Sequence, residues 1–164
     1  MLGWTVVELV LNSPATTEAR AAMADLPDFD EIVENFELFD DWQDRYRYVI
    51  DLGRDLPELA PEQRSAAAKV DGCASQVWLV PELRTEDGID RIYFLGDSDA
   101  MIVRGLIAVL ISLIAGRSVG EIRELDIRGA LAQLQLDQAL SAQRSNGLRA
   151  MVERIEHIAA GAAA

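Results

Sequence analysis

Residues 76–95 read QVWLVPELRTEDGIDRIYFL, and this stretch decides the fold class. Gln76 to Pro81 and Ile89 to Leu95 are short runs rich in aliphatic and aromatic residues. Between them lies the polar ELRTEDG, in which Gly88 offers a turn. Two strands of an antiparallel hairpin are predicted. Downstream, Asp97 or Ser98 can cap a helix from about Asp99 to Ala115, closed by Gly116. Ser118 and Glu121 have the spacing of a capping box and open a further short helix. A last helix carries Leu148, Met151, Val152, Ile155 and Ile158 on one stripe.

Upstream of the hairpin, Ile32, Phe36, Phe39, Tyr46 and Ile50 recur at helical spacing, with Val33, Trp42 and Val49 beside them. This predicts one long helix, broken near Asp40 and Asp41. Gly53 is read as its left-handed cap, Pro57 as the residue that stops it resuming, and Pro61 as the start of a short helix. Helices, a small sheet and more helices make an α+β domain with the helices packed on one face of the sheet. Residues 1–25 are read as a flexible extension, 26–160 as the single domain and 161–164 as a frayed tail. No internal repeat or long linker interrupts the chain.

The chain has 164 residues, half of them hydrophobic, enough for one substantial core. Its 15 basic and 28 acidic residues give a formal charge of -13, which repels phosphate backbones and anionic lipid. Nucleic acid and membrane surfaces are therefore not expected as partners. The longest apolar run, Gly105 to Gly116, is too short to cross a bilayer and reads as a buried helix. The start of the chain lacks the basic region of a secretory signal, and a single cysteine makes no internal disulfide, so a cytoplasmic location fits. With His157 the only histidine and Cys73 the only thiol, one chain cannot supply a zinc or iron–sulfur ligand set. A site built from carboxylates alone stays open, without any calcium-loop spacing to support it. Asp28, Asp30, Glu31, Asp40 and Asp41 read as a solvated acidic face.

Cys73 is the residue with chemistry to offer. A lone cysteine in such a chain is more often a small buried hydrophobe than a nucleophile. Here Gly72 precedes it and the small Ala74 and Ser75 follow, which places the thiol on a turn able to present it. Asp71 disfavours a thiolate, and with an ordinary pKa of about 8.5 only a small fraction would be ionised near neutrality. A cysteine hydrolase would need His157 as its base, from a helix beside an alanine tail. A dithiol redox enzyme lacks its second cysteine, and a one-cysteine peroxidase lacks a thiolate-stabilising neighbour. A thiol of this kind suits a carrier activated by a partner.

Four segments carry a family pattern: GCASQVWLV at 72–80, NFELFDDWQDRYRYVIDLGRDLPEL at 35–59, LGDSDAMIVRGLIAVL at 95–110 and LSAQRSNGLRAM at 140–151. In order and in content they resemble the SufE family of cysteine desulfuration proteins, over roughly Phe29 to Ile158. Ala74 stands where that family commonly has glutamine, and Ala142 where its closing motif often has proline; neither removes a group that sulfur chemistry needs.

The resemblance implies a SufE/IscU-like α+β fold. It implies a sulfurtransferase-type carrier that takes sulfane sulfur from a SufS-like or CsdA-like cysteine desulfurase and passes it to an iron–sulfur assembly scaffold. Pyridoxal phosphate would belong to the desulfurase, and this chain would bind no cofactor, as monomer or homodimer. Cys73 would be the persulfide-forming nucleophile, sheltered against Val77 and Trp78, with Gly72 as the hinge of its loop. Arg144 would offset Asp71 and favour the thiolate or persulfide, Asp99 would set the loop's resting position, and Gln76 would hydrogen-bond the loop. Read from sequence alone, Arg144 is equally a surface arginine, and Asp97, Ser98 and Asp99 are an acidic helix start. A binding module that stimulates a desulfurase without carrying sulfur is the alternative.

Overall fold

The hairpin is longer than its apolar runs. In the computed structural model, which describes residue 23 and residues 25–162, β1 spans Val77–Glu86 and β2 spans Ile89–Ser98. They pair antiparallel from Val77 opposite Ser98 to Glu86 opposite Ile89. The polar residues 82–86 are thus strand, not loop, and the chain reverses within Asp87 and Gly88, at φ of 53° and 76°. Two left-handed residues make the turn whose twist matches that of the flanking strands. Thr85 Oγ1 donates to Asp90 Oδ1 at 2.7 Å, and the Tyr93 hydroxyl meets the Glu86 carboxylate at 3.1 Å, so polar cross-strand pairs hold the tip. Pro81 is tolerated because β1 lies at the edge of a three-stranded sheet with β2 at its centre. The third strand, Arg117–Ser118, pairs with Arg91 and Ile92 of β2, and two residues are too few to leave a pattern in the sequence.

Alternation along the hairpin separates two faces. Val77, Leu79, Ile92 and Phe94 enter the main core, whereas Val80 and Leu95 form a second cluster with Leu59, Ala68 and the partly buried Trp78. The α-helices described below bury their apolar residues on the first side, in agreement with the predicted α+β arrangement. The second is covered by the connector between residues 55 and 70, which includes a short 3₁₀ turn at Pro61–Gln63.

The predicted long helix is two, α1 (Phe29–Leu38) and α2 (Trp42–Arg54). Asp28 Oδ1 accepts from Glu31 N and Asp41 Oδ1 from Asp44 N, each at 2.9 Å, so two acids of the supposed solvated face are N-caps. Arg45 ties the break by donating to the carbonyls of Phe36 and Phe39, both at 3.1 Å.

Gly53 does not cap α2; it lies inside the helix. There α2 crosses α3 (Met101–Ile114) so closely that a Cβ on Gly53 would stand 2.5 Å from Gly105 N. The cap assigned to Asp97 is also corrected. α3 follows Ala100 without a side-chain cap, and Asp97 sits buried at the end of β2 between Arg64 at 2.9 Å and Arg104 at 3.3 Å. Ser98 Oγ accepts from Ala100 N at 3.2 Å, a turn bond just ahead of the helix.

The capping box holds as read: Ser118 N donates to Glu121 Oε2 at 2.9 Å and Glu121 N to Ser118 Oγ at 3.1 Å, opening α4 (Val119–Glu124). α5 (Ile127–Ala132) follows, capped by Asp126. α6 (Ala142–Ala162) buries Met151, Val152, Ile155 and Ile158, with Leu148 half-buried and His157 exposed. It stays helical to Ala162, past the start of the tail read as frayed. Apart from Met23 and Asp25, the extension read at residues 1–25 lies outside the described residues. No described helix is long and apolar enough to cross a membrane.

Candidate functional site

Residues 71–76 form a loop pinned at its base. Val70 N donates to Val77 O at 2.8 Å and Leu79 N to Ala68 O at 2.9 Å, so the chain on both sides of the loop is held in register. Gly72 makes the reversal at φ 91°, a conformation that side chains other than glycine's rarely adopt. The loop lies along α6: a Cβ on Gly72 would come 3.5 Å from Ala150 Cβ, and the Arg154 guanidinium bonds the Ala67 carbonyl just upstream.

Cys73 is half-buried, and its Sγ donates to the Gly147 carbonyl at 3.6 Å. The sulfur faces a cavity of about 10 Å³ walled by Val103 and Leu106 of α3 and by Leu148 and Met151 of α6. These are not the neighbours expected from the sequence. Val77 is fully buried in the main core, and Trp78 packs on the opposite side of the sheet, with the Arg64 guanidinium 5.5 Å over its ring. The period of two along β1 sends adjacent residues to opposite faces, so Val77 and Trp78 cannot shelter one thiol together.

Arg144 does reach the loop, at Ser75: its Nη1 donates to Ser75 Oγ at 2.8 Å. Asp99 holds the next residue, its Oδ1 accepting from Gln76 N at 3.0 Å while Asp99 N donates to Gln76 O at 3.4 Å. Gln76 therefore joins through its main chain, and the residue is exposed. Ser75 and Gly147 complete the constellation and were not singled out from sequence. The available signal for Gly147 was its place inside a helical stripe, where glycine is costly unless something needs the room.

Burial raises the Cys73 thiol above its ordinary pKa, and the Asp71 carboxylate raises it further. The resting sulfur is protonated at neutrality and a poor nucleophile. Replacing Asp71 with asparagine removes the smaller of the two effects. The pH profile of Cys73 alkylation by iodoacetamide is expected to move to lower pH, with the rate at neutrality rising about two- to threefold. An unmoved profile would show that Asp71 does not act on the thiol.

Known proteins are similar to this chain along most of its length. The family model SufE, described as an Fe-S metabolism associated domain, matches residues 30–159. An uncharacterized SufE-like protein of Rhizobium etli is 50% identical over 136 residues, 83% of this chain and 90% of that protein. Another, of Rhizobium meliloti, is 44% identical over 132 residues, 80% of this chain and 94% of its own length. The solution structure of a hypothetical protein from Thermus thermophilus aligns with a TM-score of 0.63 over 80% of this chain and 93% of that one. At 16% identity that is a likeness of fold.

Proposed function

The chain belongs to the SufE family, and from that premise we propose that it is a sulfur carrier, with Cys73 taking sulfur from a pyridoxal-phosphate cysteine desulfurase of the SufS-like or CsdA-like kind. The observation that carries this reading is the placement of Cys73: a lone thiol on a short pinned loop, beside a cavity lined largely by apolar side chains, with Ser75, Gln143 and Arg144 at its wall. Such a thiol is guarded at rest and needs a partner to bring it out.

The transfer is a thiol–persulfide exchange with no net oxidation. The Cys73 thiolate attacks the terminal sulfur of the desulfurase persulfide and forms a new S–S bond. The donor's S–S bond breaks, and its electron pair leaves with the desulfurase thiolate. The proton held by the resting thiol must go first, and swinging the loop out of its apolar seat removes the burial that keeps it on. Asp99 and Arg144 act as the two catches of the resting loop, one on the Gln76 main chain and one on Ser75. Once Ser75 is released, the Arg144 cation is free to stand against the persulfide anion. Handing the sulfur to an iron–sulfur assembly scaffold completes the cycle, in a reducing cytoplasm. The chain itself requires no cofactor for these steps.

The test is intact-protein mass spectrometry after incubation with such a desulfurase and L-cysteine under non-reducing conditions. A gain of one sulfur atom, reversed by a reductant, is the expected result. No gain with a desulfurase that demonstrably binds would overturn the carrier reading in favour of a stimulating module.

A further inference from the structure

The wall of the Cys73 cavity has one bare place. Gly147 lies in the first half of α6, in ordinary right-handed helix, where alanine would be the better helix former. Its missing Cβ would stand 3.6 Å from Cys73 Sγ and 3.8 Å from Cys73 Cβ. Those are ordinary contact distances, so the thiol alone does not require glycine there. A group larger than the thiol would run into that Cβ. The cavity of about 10 Å³ beside the sulfur is close to the least that holds a single water, about 10–15 Å³. It has room for about one more atom.

Resting on the carrier reading above, we infer that the space over Gly147 is the seat of the terminal persulfide sulfur, and that Gly147 is a positioning residue for the loaded carrier. The terminal sulfur lies about 2 Å beyond Sγ. With Gly147 it can turn into the cavity among Val103, Leu106, Leu148 and Met151, while Gln76 and Ser75 stay in their catches. A methyl at position 147 takes that room and leaves the thiol seated, but forces the persulfide and its loop outward. The same size limit sorts adducts: one sulfur fits, whereas a glutathionyl or alkyl group on Cys73 has nowhere to go except solvent.

The test compares wild type with Gly147→Ala in both thiol and persulfide forms. The persulfide is installed without any desulfurase. Hydrosulfide attacks Cys73 Sγ in a mixed disulfide with thionitrobenzoate, and the aryl thiolate leaves with the electron pair of the broken S–S bond. Two readouts are taken, the rate at which dithiothreitol strips the added sulfur and the melting temperature of each form. In Gly147→Ala the thiol is expected to alkylate within about twofold of wild type and to melt no lower, since the helix has gained alanine. Its persulfide is expected to be stripped about tenfold faster than that of wild type and to melt below its own thiol form, because an overpacked seat holds the loop open. Equal stripping rates, with persulfide and thiol forms melting alike in the variant, would overturn the seat. Failure of a desulfurase to load wild type would overturn the carrier reading instead, and the chemically loaded pair would still decide the seat.

Discussion

Replacing Cys73 with serine is expected to abolish the gain of one sulfur and to return cysteine turnover to the rate of the desulfurase alone. The substitution is clean because nothing that holds the loop uses the thiol. Its base is fixed by Val70 on Val77, and its C-terminal side by Asp99 on Gln76 and Arg144 on the adjacent Ser75. The single contact at stake, to the Gly147 carbonyl, can also be donated by a hydroxyl. Serine therefore leaves the fold and the surface around the loop as they were, while its oxygen can form no persulfide. Turnover measured with L-cysteine and no external reductant separates the two readings. If the serine variant stimulates the desulfurase as well as the parent, sulfur transfer through Cys73 is not what the protein contributes, and a stimulating module takes its place.

The parts of the fold that were legible from sequence are those specified locally. The apolar halves of the hairpin, the break between α1 and α2 and the Ser118–Glu121 box each rest on residues within a few positions of one another. What failed was specified by partners far along the chain. Residues 82–86 look like a loop because their side chains are polar. They are strand because Asp87 and Gly88 turn in two residues and zip Arg84 to Arg91 and Thr85 to Asp90. Gly53 was misread because a glycine that ends a helix and one that lets two helices touch look the same in one dimension. Asp97 fits the acid expected ahead of a helix, yet its partners, Arg64 and Arg104, come from the connector and α3.

The site divides along the same line. Cys73 and Gln76 share one loop, and Asp99 and Arg144 each bond a residue of it, Gln76 and Ser75. The apolar shelter was assigned to sequence neighbours when it is made by α3 and α6, elements that only the tertiary fold brings over the thiol.

Gly105→Ala is expected to cause the largest loss of stability of any single methyl added to a described glycine of this chain. A Cβ there would stand 2.1 Å from the Val49 carbonyl oxygen and 2.7 Å from Val49 Cγ1, and the nearest of these is backbone, which no rotamer change relieves. The gain in helix propensity, about 1 kcal/mol, works in the opposite direction and is too small. Separating α2 from α3 enough to admit the methyl opens the centre of the core, where Val49, Leu106 and Ile107 are almost wholly inaccessible. Overpacking of this severity costs about 3 kcal/mol or more, against a total stability of about 5–15 kcal/mol for a domain. A melting temperature lower by about 10 °C is the expected outcome, at about 2–4 °C per kcal/mol for a chain of this size. Gly120→Ala is the matched control: its Cβ would meet nothing within 4 Å in α4, so it should leave the melting temperature unchanged or raise it. A Gly105→Ala protein melting within about 2 °C of wild type would mean that the crossing is looser than its backbone distances say. The effect should also reach the site, since Val103 and Leu106 flank Gly105 on α3 and wall the Cys73 cavity. Moving α3 away from α2 displaces both, so Cys73 in any folded Gly105→Ala protein should alkylate faster than in wild type at the same pH.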